Sequence, residues 1–130
     1  MHENQTGVPF VAGYMASGYC SGYATRAAER LFGNEFERAD AWNLRYRNNI
    51  LPFSYSDLRE GDLIGIFYPK SSHNDRRDEE GNQVSYTHVA LYTGNREILH
   101  NFGGPVRENL EDFLERTNSE AREIIRAGGR

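Results

Sequence analysis

Cysteine is nearly absent: Cys20 is the only one in 130 residues. A lone cysteine cannot close an intrachain disulfide, and it cannot supply a cysteine-based zinc cluster by itself. A basic surplus is also missing. The 15 Lys and Arg are outnumbered by 19 Asp and Glu, giving a formal net charge of −4, which argues against a nucleic-acid-binding domain and removes nucleic acid from the expected partners. No apolar run is long enough to span a bilayer, so no membrane span is expected. The opening Met1-His2-Glu3-Asn4-Gln5 has neither a basic n-region nor an apolar h-region, and no signal peptide is visible. The chain therefore reads either as starting in the cytoplasm or as a mature or excised piece of something longer.

What is present is an ordinary globular composition, 38% hydrophobic and 26% charged, at a length that supports one core and hence a single domain over residues 1–130. The 8 Tyr, 7 Phe and 1 Trp are expected mainly to pack that core, with some left to line a groove.

Along the chain, residues 1–13 are polar and irregular. From Cys20 to about Phe32, Ala24, Ala27, Ala28 and Leu31 recur at helical spacing as one apolar stripe, and Gly33 is the natural stop. A second helix is predicted over 35–48, carrying Phe36, Ala39, Trp42, Leu44 and Tyr46. Leu63 to Tyr68 reads as a buried strand. Residues 69–83 form a polar loop of both charge signs that is expected to be solvated, His73 with it, or to close over a groove. A strand over Val84–Thr93, a hairpin turn at Gly94-Asn95 and a returning strand over Arg96–Phe102 follow. The tail, Glu108 to Ala127, reads as an amphipathic helix with Asn118-Ser119 as a point of division. The order predicts an α+β domain: a helix packed on an antiparallel sheet, then a C-terminal helix.

The chemistry centres on Cys20. A cysteine in the first turn of a helix feels the positive end of the dipole and free backbone N–H groups, which predicts a stabilised thiolate and a place to hold an oxyanion. His88 opens an apolar strand and is the expected base. His100 is the expected orienting group, because the hairpin brings it close to opposite His88. Asn101 adjoins His100 but falls on the other sheet face if the strand is regular. The small neighbours Ser21 and Gly22 leave room for a substrate. Each residue also has a plainer role. A lone cysteine is commonly a core residue, and a strand histidine commonly bonds to backbone. A zinc site from Cys20, His88 and His100 lacks the paired spacing most such sites have.

Four segments, in order, resemble the NlpC/P60 family of papain-like cell-wall peptidases: Tyr19-Cys20-Ser21-Gly22-Tyr23, Glu60-Gly61-Asp62-Leu63-Ile64, Thr87-His88-Val89-Ala90-Leu91-Tyr92-Thr93-Gly94-Asn95 and Ile98-Leu99-His100-Asn101. The twelve-residue interval from His88 to His100 fits that family too. The resemblance implies an NlpC/P60-type papain-like fold. It implies hydrolysis of amide bonds in bacterial peptidoglycan stem peptides, commonly between γ-D-glutamate and a diamino acid. Cys20 would be nucleophile, His88 base and acid, and His100 orienter, with no cofactor or metal. It places the site of action outside the cytoplasm, secreted or periplasmic. Tyr14, Tyr19, Ser21 and Asn101 are the candidates for the oxyanion and substrate contacts. The chain departs from the family at Tyr19, where an Asp is common, and in the spacing of Tyr14. Two other expectations stay open: an inactive papain-like domain that binds a peptide or partner intact, and an effector-type cysteine hydrolase with a non-wall substrate and a delivery or immunity partner.

Overall fold

The structure, a computed structural model, describes residues 2–3, 9–10 and 20–128. The first pairing is a short antiparallel ladder between β1 (His2–Glu3) and β2 (Pro9–Phe10), with His2 opposite Phe10. It corrects the irregular reading of the N-terminus at these residues, since two-residue strands are too short to carry a period-2 signal.

Helix α1 (Cys20–Phe32) follows from its small apolar stripe. Tyr23, Ala24, Ala27 and Ala28 are fully buried, while Leu31, near its end, is exposed. Gly33 adopts φ +71°, and the amides of Gly33 and Asn34 return to the carbonyls of Glu29 and Ala28, a glycine-terminated cap. The helix predicted over 35–48 shrinks to a short 3-10 turn segment, Ala41–Tyr46. The reason is a side chain. Asn48 accepts from the Glu37 amide at 2.9 Å and donates to the carbonyls of Glu37 and Leu44. It thereby satisfies backbone groups that a helix would otherwise have needed.

Strands β3 (Asn49–Pro52), β4 (Leu63–Phe67), β5 (His88–Gly94), β6 (Glu97–Asn101) and β7 (Pro105–Asn109) precede helix α2 (Leu110–Thr117) and strand β8 (Glu120–Arg126). The six strands form one antiparallel sheet in the order β3-β8-β4-β5-β6-β7. The fold is thus α+β, with an N-terminal helix on an antiparallel sheet.

The predicted C-terminal helix is corrected: only Leu110–Thr117 is helical, and the chain then re-enters the sheet as β8. Asn109 caps α2 by accepting from the Asp112 amide, and Asn118 ends it in the left-handed region at φ 54°. Beyond it, Ile124 and Ile125 are both fully buried, on opposite sheet faces. Burial on both faces erases the alternation by which a strand is recognised. The backbone groups of β3 and β4 that face each other across the gap find their partners in β8.

Both faces are covered. Val89, Leu91, Leu99, Leu63 and Ile125 pack with α1 and the 3-10 turn, whereas Ala90, Ile98, Ile64 and Ile66 pack with Leu110 and Phe113 of α2. The β5–β6 turn sits one residue later than expected, at Asn95-Arg96, both with positive φ, and the register shifts at Gly94. Leu91 therefore pairs with Leu99. Continued, that register puts His100 beside Ala90, diagonal to His88 on the same face rather than opposite it.

Gly65 on β4 shows how tightly the α1 face is filled. A Cβ there would lie 2.6 Å from the Tyr86 ring, whose hydroxyl donates to Glu123 on β8 at 2.8 Å. Gly65→Ala is expected to destabilise the fold by about 1–3 kcal/mol, the usual cost of overpacking. Urea unfolding checks this, and the cost should shrink when the same change is made in a Tyr86→Ala background.

Candidate active site

Cys20 is the first residue of α1, and His88 the first of β5. They meet at a cavity of about 370 Å³, lined also by Ser21, Asp40, Trp42, Thr87 and Asn101 and by His73 and Arg76 of the polar loop. A larger, more open hollow of about 630 Å³ between Gly33–Glu35 and Arg126–Gly128 contains neither Cys20 nor either strand histidine.

The thiol is half-buried and donates to the Thr87 carbonyl at 3.5 Å. Burial pushes the thiol pKa above its ordinary 9.0 and the charge of Asp40 adds to it, while the nearby backbone of Val89, Ser21 and Cys20 itself favours the thiolate without prevailing. This reverses the expected stabilised thiolate: in the resting protein Cys20 is a thiol.

The imidazoles form an ordered chain. His88 Nε2 and His100 Nδ1 are 2.7 Å apart, and His100 Nε2 lies 2.7 Å from Glu108 Oε2. Glu108 Oε1 accepts from Arg116 of α2 at 2.8 Å. Burial alone would raise the Glu108 carboxyl, but the bonds from Arg116 and His100 prevail and hold it below the usual range. A carboxylate can only accept, so His100 carries its proton on Nε2. Its Nδ1 is then the acceptor, and His88 donates from Nε2. The lone pair of His88 is left on Nδ1, the tautomer a base requires. Burial, reinforced by His100, pushes the His88 pKa from 6.5 down to about 3. Burial also lowers that of His100, against the opposing pull of Glu108. Both rings are neutral near pH 7. Phe102 and Phe113 wall them in, with ring centroids 4.7–5.8 Å away.

Of the residues singled out in the sequence, Cys20, Ser21, His88 and Asn101 share the cavity, and His100 stands behind His88. Asn101 is on the sheet face opposite His100, and its Oδ1 accepts from the Gly104 amide at 3.1 Å, which leaves the side-chain NH₂ as donor. Tyr14 and Tyr19 lie outside the described residues. His73, expected in solvent, is exposed yet belongs to the cavity rim. Glu108 and Arg116 were not foreseen. The available signal was Gly103-Gly104-Pro105, which turns the chain into β7 and sets Val106 against His100, so that Glu108 shares the histidine face. Among the described residues no cluster of three or more His, Cys, Asp or Glu is placed to hold a metal ion. No helix there is long and apolar enough to cross a membrane. No known protein family matches the chain, and no curated protein is detectably similar to it.

The lowered histidine pKa values make a pH prediction. The folded state resists protonating His88 while the unfolded chain accepts it, so this contribution to stability is complete above about pH 6.5 and is lost as the pH falls toward 3. His100 and Glu108 are shifted in the same direction. From pH 7 to pH 5, His88 alone should cost about 2 kcal/mol. Urea unfolding at the two pH values should show His88→Gln losing less stability than the wild type by about that amount.

Proposed function

We propose that the chain is a cysteine hydrolase of the NlpC/P60 type, on a papain-like fold, that cleaves an amide bond in bacterial peptidoglycan stem peptides. The observation that carries this reading is the proton order of the imidazole chain: a Glu108-braced His100 leaves the basic nitrogen of His88 free, in a cavity shared with the one cysteine. The four sequence segments support the wall substrate, and with it a secreted or periplasmic site of action.

The resting pair is thiol and neutral imidazole, so the thiol proton passes to His88 Nδ1 as sulfur attacks the carbonyl carbon. The resulting imidazolium is held by His100 through Nε2–H. The oxyanion forms beside the amides of Cys20 and Ser21. Collapse breaks the C–N bond, His88 returns the proton to the leaving amine, and a thioester remains. Water, deprotonated by His88, then releases the acid and restores Cys20.

A second reading, a domain that binds a peptide without cutting it, is favoured by one observation: burial raises the thiol pKa, and the thiol donates to Thr87. Digestion of purified peptidoglycan with mass-spectrometric readout separates the two. The hydrolase gives new muropeptides with the wild type and none with Cys20→Ala. The binding domain gives none with either.

Glu108→Gln tests the proton order. Arg116 would claim the amide oxygen, so the NH₂ would face His100 and invert both tautomers, placing a proton on the base nitrogen of His88. The expected loss in kcat is about 100-fold, with KM little changed and imidazole nitrogen NMR shifts of His88 reporting the inverted tautomer.

A further inference from the structure

The polar loop at 69–83 is bonded to two of the elements that line the cavity. At its root, Asn74 donates to the carbonyls of Tyr68 and Pro69 and accepts from the hydroxyl of Thr87, the residue before His88. At its far end it rests on the 3-10 segment that carries Trp42. Thr87 and Trp42 both line the cavity, as do His73 and Arg76 of the loop itself.

Between these anchors the chain forms a hairpin. The Val84 amide donates to the Arg76 carbonyl, Arg77 pairs with Gln83, and the amides of Asp78 and Gly81 donate to the carbonyls of Asn82 and Asp78. Val84 is buried and roots the returning arm in the fold. The two oxygens of the buried Asp78 carboxylate have separate duties. Oδ1 accepts from the amides of Glu80 and Asn82 and staples the hairpin tip to itself. Oδ2 accepts from the Tyr46 hydroxyl at 2.6 Å.

The docking of this hairpin differs in kind from its folding. Among the described residues, no backbone-to-backbone hydrogen bond joins residues 69–83 to Ala41–Arg47. The hydrogen bonds and ring contacts across that seam use side chains. Tyr46 bonds Asp78, Asn43 accepts from the Glu79 amide, Arg47 pairs with Glu79, and Arg76 and His73 lean on the Trp42 ring. The Arg47–Glu79 pair is exposed and contributes little. The bond from Tyr46, short and made to a carboxylate, is the strong one. A unit stapled by its own backbone and held to its neighbour by a few side chains opens whole, at less cost than the domain.

We propose that the hairpin from Arg76 to Val84 is a hinged strap across the Cys20 cavity, with the Tyr46–Asp78 bond as its catch. Lifting the strap takes Arg76 off Trp42 and widens the approach to the thiol, while the hairpin keeps its shape and the His88–His100–Glu108 chain keeps its bonds. Closed, the cavity holds what fits about 370 Å³. Open, it takes a bulky or branched ligand. The strap goes beyond the hydrolase reading and does not depend on whether the site cuts a bond.

Alkylation of Cys20 by two reagents reads the strap. Iodoacetamide is small enough to enter the closed cavity, and fluorescein-5-maleimide is not. Tyr46→Phe removes the catch but keeps the ring and the Oδ1 staple. The maleimide rate should rise about 10-fold, following the larger open population once a charge-assisted hydrogen bond is lost, and the iodoacetamide rate should stay within about twofold. Arg47→Gln should leave both rates within about twofold. Hydrogen exchange supplies a second readout on Tyr46→Phe. The Glu79 amide, bonded across the seam to Asn43, should exchange faster, and the Asp78 and Gly81 amides, bonded within the hairpin, should not. Equal acceleration of both reagents, no change in either, or faster exchange at Asp78 and Gly81 together with Glu79 overturns the strap. An absence of new muropeptides in the peptidoglycan digest bears on the hydrolase alone.

Discussion

His100 is wholly buried, and a buried imidazole needs partners for both ring nitrogens. That requirement organises the rest. One nitrogen needs a donor, supplied by the first residue of β5; the other needs an acceptor, supplied by a carboxylate on β7. The carboxylate, partly buried, needs a cation of its own, which α2 delivers as Arg116. Phe113, from the same helix, closes the apolar wall around the rings. Moving any of these elements by one residue would send its side chain to the other face. The register of three strands and the placement of α2 are therefore bound up with one proton arrangement.

The same burial explains why Cys20 and His88 both favour their neutral forms. Desolvation raises the thiol and lowers the imidazole, so neither charge of an ion pair is favoured. Under the hydrolase reading, such a site would generate its charges only as bonds change. Substrate entry would alter the solvation of the cavity, and with it both equilibria.

Much of this was legible in the chain, but unevenly. Cys20 at a helix start, His88 at the head of an apolar strand and Gly33 as a terminator are local signals, and the structure places them accordingly. The errors share a cause: long-range partners overrode local pattern. Asn48 unmade a helix by satisfying Glu37 from eleven residues away. Ile124 and Ile125 looked like a helical turn because a strand buried on both faces has no alternation to show. Glu108 was read into a helix because β7, the strand that aims it at His100, is recognisable only once its pairing partner is known. The thiol pKa was misjudged because a helix start can be seen in sequence and the depth of burial cannot.

The placement of β8 has a consequence for how the molecule assembles. His88, His100, Glu108 and Arg116 come from one contiguous stretch, β5 through α2, whose neighbours in the sheet are neighbours in sequence. Its contacts need only short loop closures and can form early. Strand β3, by contrast, pairs among the described residues only with β8, and Cys20 is tied to the Thr87 carbonyl, 67 residues along the chain. The candidate site therefore joins one half built on short-range contacts to another built on long-range ones. A partly opened molecule that loses the docking of α1 keeps the His88–His100–Glu108 chain and gives up only Cys20, so the cavity should come apart before the sheet does when the fold is stressed.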